Sequence, residues 1–151
     1  MRNPIIFACL VYLLDQASKF FIEKFIPYAS AVNIIETFHF FNIVNVSNTG
    51  IAFSFFENNN LFFIIFMFLF LTAISIWLYK NRNKISPLQK YAFCLVLSGG
   101  IGNLTDRIFR GAVVDFLDFG INNLRWPAFN IADSAVCIAM FLIIFSFVKE
   151  K

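Results

Sequence analysis

GNLTDRIFRGAVVDF, residues 102–116, ends one of the most apolar stretches of a 151-residue chain with Asp106, Arg107, Arg110 and Asp115. The chain is 60% hydrophobic and only 14% charged, so this concentration of ionisable groups calls for a cause. An ionisable side chain at membrane depth is expensive, and its default reading is a functional site. On a helix, Asn103, Asp106, Arg107 and Arg110 stand at i, i+3, i+4 and i+7 and form one polar stripe.

The rest of the chain supplies the membrane. Phe occurs 23 times, and the mean hydropathy is +0.75. Four apolar segments, at about residues 4–22, 61–79, 91–109 and 129–148, are each long enough to cross about 30 Å of hydrocarbon at about 1.5 Å per residue. The length allows a single domain, residues 1–151. The first segment is too long for a removable signal peptide and lacks a small-residue cleavage pattern, so it reads as a retained helix.

Lysine and arginine placement sets the expected orientation. Arg2, the loop that brings Lys80, Arg82, Lys84 and Lys90, and the terminal Lys149 and Lys151 put seven positive charges and one negative, Glu150, on one face. Both termini are therefore expected in the cytoplasm, with an even number of spans. The net charge of +3 reports topology and does not imply nucleic-acid binding. Cys9, Cys94 and Cys137 lie inside apolar segments without metal-ligand spacing, and His39 is isolated. No metal or cofactor is expected.

Between the first two spans lies an insert at about residues 23–60. VNIIET and FFNIVNV are β-branched and aromatic, and SNTG interrupts them before IAFSFF. Two or three short strands on the outer membrane surface are expected. The fold class is membrane all-α, with four transmembrane helices and a small extracytoplasmic β-structure between the first and second.

Two further polar stripes join the first. Asp15 and Lys19 stand at i, i+4 near the outer end of the first span. In WPAFNIADSA, Pro127 suits a first helical turn, and Asn130, Asp133 and Ser134 then share a face. A helix beginning at Pro127 puts Asp133 about 9 Å along its axis. Some of these charges have plain structural readings. Asp106 and Arg107 can pair with each other or with a neighbouring helix, Asp15 with Lys19 reads as architectural, and Asp118 and Arg110 read as solvated loop charges. Asp133 has no base in its own helix, and a lone buried carboxylate costs several kcal/mol or takes up a proton. The nearest unassigned acid is Asp115. Two carboxylates at close range share one proton, so one can activate water while the other polarises a carbonyl.

LDQASK (14–19), NTGIAFS (48–54), GGIGNLTDR (99–107), VVDF (113–116) and PAFNIADS (127–134) occur in an order and spacing that resemble bacterial lipoprotein signal peptidase, signal peptidase II, over essentially the whole chain. The resemblance implies a four-span membrane aspartic protease that removes signal peptides from diacylglyceryl-modified prolipoproteins, cutting before the lipidated lipobox cysteine. It places the catalytic pair on Asp115 and Asp133. Supporting or substrate-binding positions fall on Asp15, Lys19, Asn48, Gly50, Asn103, Asp106, Arg107 and Asn130. It further implies sensitivity to globomycin-type cyclic peptides, contact with membrane lipids, a cytoplasmic (inner) membrane location and an active site near the extracytoplasmic face; nothing in the sequence demands more than a monomer. Gly99, Gly100 and Gly102 can serve close helix packing or close approach of substrate, and both readings stand.

Two rival readings compete with this one. A small membrane transporter or channel subunit with an ionisable cluster at the outer interface needs polar residues through the full depth of the spans, and the cytoplasmic halves here are apolar. A non-catalytic scaffold does not account for two acids without an obvious base at one depth.

Overall fold

The computed structural model describes residues 3–50 and 59–149. Four helices dominate it: α1 (Pro4–Phe25), α2 (Asn60–Asn81), α3 (Pro87–Phe109) and α4 (Ile131–Lys149). Local sequence starts them well. Asn3 caps α1 through its side chain, with Pro4 following. Ser86 and Gln89 form a reciprocal capping box ahead of α3, with Pro87 in the first turn. That box lets the chain reverse direction within a few residues of the end of α2.

α1, α2 and α4 are long and apolar enough to cross a membrane. α3 has 23 residues but carries the polar stripe, and it packs against all three other helices. Burial is correspondingly uneven. Outward residues such as Leu10, Phe68 and Phe141 are exposed, while Leu95, Val96, Ala135 and Ala139 form a small core between α3 and α4. Small residues are what let two helix backbones approach where lipid gives apolar side chains no reason to leave it. The glycines of α3 therefore pack helices. A Cβ on Gly99 would run into the Ala132 carbonyl of α4, and one on Gly102 would come within 2.7 Å of Asp15 Oδ2 on α1.

A four-stranded antiparallel sheet, β1 (Ala31–Ile35), β2 (Phe41–Asn48), β3 (Val113–Ile121) and β4 (Leu124–Arg125), runs in the order β1-β2-β3-β4. The insert after α1 supplies β1 and β2, as expected. The sheet is not confined to that insert, however, since β3 and β4 come from the α3–α4 connection. The missed signal was the β-branched and aromatic content of VVDFLDFGI followed by an Asn122–Asn123 hairpin turn, where Asn122 takes a positive φ of 51°. The IAFSFF run falls outside the described residues.

Three other expectations are corrected. α4 starts at Ile131, not at Pro127, because Phe129 exchanges backbone hydrogen bonds with Leu117 of β3 and holds residues 127–129 extended. Asp133 consequently sits in the first turn rather than about 9 Å along. Asp118 is not a solvated loop charge, since it lies on β3 and accepts hydrogen bonds from Arg125 and Asn42. Arg110 is likewise committed, bridging Glu23 and Asp106.

Candidate active site

Every candidate residue named from the sequence reaches one region, at the end of the bundle that the sheet covers. Asp115 arrives on β3. The β2–β3 register sets Val46 opposite Asp115 and Asn48 opposite Val113. Asn48 and Asp115 are therefore diagonal neighbours on one sheet face, a spacing that polar side chains span. Asn48 Nδ2 donates to Asp115 Oδ2 at 3.0 Å, and the Gly50 N–H donates to Asn48 Oδ1 at 3.0 Å.

Asp133 arrives through the start of α4. Asn130 Oδ1 accepts from the Asp133 N–H at 2.9 Å, and Asp133 Oδ2 accepts from the Asn130 N–H at 3.2 Å. This is a capping box in which the acid at the third helical position is the candidate catalytic carboxylate. The Asn130 Nδ2 group, left over from that box, donates to Asp115 Oδ1 at 2.8 Å. One fully buried asparagine thus holds both carboxylates.

Beneath the pair lies a buried charge cluster. The Lys19 ammonium is fully buried and directs its three donors at Asp15 Oδ2 (2.8 Å), Asp106 Oδ2 (2.6 Å) and Asn103 Oδ1 (3.1 Å). Because Lys19 and Asn130 both donate to Asn103 Oδ1, the Asn103 Nδ2 group must face the other way. It donates to Asp133 Oδ1 at 2.7 Å. The second Asp15 oxygen accepts from the Ala132 N–H at 2.9 Å, so α1 also holds the start of α4. Removing either sign from such a cluster would strand a buried charge at a cost of about 3–5 kcal/mol.

Arg107 and Asp106 do not pair with each other. Asp106 belongs to the Lys19 cluster, whereas Arg107 reaches the backbone after β2, donating to the Gly50 carbonyl at 2.6 Å. Gln16 was not singled out from the sequence, yet its amide bridges Asp15, Asp106 and Arg110. Asn60, likewise not singled out from the sequence, exchanges hydrogen bonds with Arg107. Neither residue had a periodic signal to mark it.

Burial raises the Asp115 carboxyl from its ordinary 3.8 to about 7, and the neighbouring Asp133 adds to the rise. Donors from Asn48 and Asn130 and the charge of Lys19 work against it. A carboxyl that keeps its proton near neutrality beside a second carboxylate has the elements of an acid–base pair. Both acids line a cleft of about 1180 Å³, walled by Phe63, Phe66 and Met67 of α2, Cys137 and Ile138 of α4, Val46 of β2 and Trp126. This exceeds a typical small-molecule pocket and admits a stretch of polypeptide. A smaller space of about 430 Å³ shares Met67, Asn103, Asp133 and Cys137 with it and reaches Gly100 of α3. Among the described residues, no cluster of metal-ligating side chains occurs.

Comparison with known proteins finds relatives over nearly the whole chain. The family model for signal peptidase (SPase) II matches residues 7–149. The lipoprotein signal peptidase of Nitratidesulfovibrio vulgaris (strain DP4) is 40% identical over 138 residues, covering 89% of this chain and 82% of the relative. That of Borrelia hermsii (strain HS1 / DAH) is 42% identical over 162 residues, covering 99% and 92%. A solved bacterial membrane enzyme superposes with a TM-score of 0.86 at 31% identity, covering 97% of this chain and 88% of that one.

Proposed function

The chain belongs to the signal peptidase II family, aspartic-type proteases that remove signal peptides from prolipoproteins, and on that premise we propose that Asp115 and Asp133 are its catalytic pair. The observation that carries this assignment is Asn130, whose single side chain and backbone hold both carboxylates at the cleft. Membership of this family leaves no role for the transporter reading.

In the proposed reaction, Asp133 is ionised and Asp115 carries the shared proton. Asp133 takes a proton from water as the water oxygen bonds to the scissile carbonyl carbon, and Asp115 gives its proton to the carbonyl oxygen. The tetrahedral diol then collapses: the C–N bond breaks, Asp133 returns its proton to the leaving amine, and a diol hydroxyl returns one to Asp115. Both carboxyls end as they began, and no covalent intermediate is formed.

The substrate is a prolipoprotein with a diacylglyceryl-modified cysteine, and cleavage falls just before that cysteine. The apolar cleft walls suit a signal helix and acyl chains that arrive from lipid. Asp15, Lys19, Asn103, Asp106 and Asn130 hold the pair from the helices, and Asn48, steadied by the Gly50 N–H, holds Asp115 from the sheet. The enzyme acts as a monomer of four spans in the cytoplasmic membrane, with both termini in the cytoplasm and the sheet outside. Globomycin-type cyclic peptides inhibit it by filling the cleft.

The test is turnover of a diacylglyceryl-modified precursor. Asp115→Asn and Asp133→Asn should each lower it by about 10²–10⁴-fold, and the double variant should be scarcely worse than either, because residues acting as a unit are non-additive. Glu36→Gln, an exposed acid before the short 3₁₀ turn, is the control. Normal cleavage by either dyad variant overturns the assignment.

A further inference from the structure

We propose that Arg107 is a positioning residue, clamping the Thr49–Gly50 turn onto α3 and thereby fixing the Asn48 amide that donates to Asp115. The proposal rests on Asp115 being one of the catalytic pair.

Arg107 is buried in the last turn of α3, and among the described residues it forms no ion pair. A buried guanidinium without an ion pair is expensive, so its donors need other acceptors; Nη1 and Nη2 find them, while Nε has no hydrogen-bond partner among the described residues. Two of its bonds go to one turn: to the Gly50 carbonyl at 2.6 Å and to the Thr49 carbonyl at 3.4 Å. The opposite side is braced. Asn60 Oδ1 accepts at 3.3 Å, Asn60 Nδ2 donates to the Arg107 carbonyl at 2.9 Å, and the guanidinium lies 4.5 Å from the Phe63 ring centre.

Gly50 connects this clamp to the chemistry. Its carbonyl is held by Arg107 while its N–H donates to Asn48 Oδ1. An asparagine amide has one accepting and one donating end, so occupying Oδ1 turns Nδ2 towards Asp115. If the turn drifts away from α3, Oδ1 loses its donor, and the amide is free to rotate and present an acceptor to a carboxylate. A planar guanidinium spans two adjacent carbonyls in a way that an ammonium does not.

The charged groups that face Asp115 are Asp133 from α4, Lys19 from α1 and Arg107 itself from α3. The Asn48 hydrogen bond holds the Asp115 carboxyl down against burial. Loss of that bond lets Asp115 keep its proton to higher pH, so the alkaline limb of activity moves up. A direct charge effect of Arg107 on Asp115 would have the same sign, and a double-mutant cycle or a charge-conserving variant separates the two.

The experiment is the pH dependence of kcat/KM for the full-length chain in detergent, with a diacylglyceryl-modified precursor as substrate. The alkaline limb should rise by roughly 1 pH unit in Asn48→Ala, the scale of one hydrogen bond to a charged group. It should rise by most of that in Arg107→Gln, and no further in the double variant than in Asn48→Ala alone. A second increment in the double variant overturns the proposal in favour of a direct charge effect. A raised KM with an unmoved limb overturns it in favour of substrate contact. Should Arg107→Gln fail to accumulate, Arg107→Lys keeps the charge without the fork, and an unshifted limb there also overturns it. If Asn48→Ala itself leaves the limb in place, the assignment of Asp115 fails. A limb that moves in Asn48→Ala but in neither Arg107 variant sinks only the role of Arg107.

Discussion

Replacing Asp115 by Asn should cut turnover by about 10²–10⁴-fold and, above neutral pH, make the protein more stable. The wild-type carboxyl rises from 3.8 to about 7 on folding, which corresponds to about 4 kcal/mol of native-state cost once the group is ionised. The sign follows from linkage. The native state retains a proton between about pH 4 and pH 7 that the unfolded chain has released, so wild-type stability falls as pH rises through that window. A neutral amide carries no such cost. It does, however, present one acceptor where the carboxylate presents two, while Asn48 and Asn130 both donate there. One of those donors then meets the amino group of the substituted side chain, a loss of about 1–3 kcal/mol. The net gain at pH 8 is about 2 kcal/mol, or roughly 4–8 °C in Tm for a chain of this length. Near pH 4 the carboxylate cost has vanished and the donor clash remains, so the variant should melt below wild type. The assay is thermal unfolding of both proteins in one detergent from pH 4 to pH 8. A stability difference that does not change with pH would refute the raised carboxyl, and with it the reason for giving Asp115 the proton.

Cysteines placed at the exposed Asn83 and Asn123 should react with an impermeant thiol reagent from opposite sides of the membrane; labelling of both from outside rejects the proposed topology. A lipidated precursor should be cleaved faster than its unlipidated form in detergent, because acyl burial supplies about 0.8 kcal/mol per CH₂, and equal rates would count against lipid recognition. Gly102→Ala pushes a methyl group to within 2.7 Å of Asp15 Oδ2, so it should lower protein level and Tm through the Lys19 cluster. A variant as stable as wild type would mean that α1 can shift without disturbing that cluster.

Much of this protein follows from one-dimensional pattern. Apolar runs of bilayer length, with lysines and arginines gathered at their ends, specify helices and an expected orientation, because hydrocarbon leaves a backbone few other ways to satisfy its hydrogen bonds. The i, i+3, i+4 spacing placed Asn103, Asp106 and Arg107 on one stripe for the same local reason, and the structure keeps them there. The need for a partner at Asp133 was also legible, since a lone buried carboxylate is costly wherever it lies. Tertiary structure alone decided how those needs are met. Pairing of Phe129 with Leu117 delays α4 to Ile131 and turns Asn130 into a cap that also reaches Asp115, a consequence of strand register. Arg110 and Asp118 look like surface charges in the sequence because their partners, Glu23 and Arg125, are met only after the chain folds back. Whether Gly102 admits a substrate or a neighbouring helix depended on what stands opposite it, and that is the Asp15 carboxylate, 87 residues earlier in the chain. Local sequence sets backbone conformation and the demand for a partner; which group answers that demand depends on packing between residues far apart in the chain.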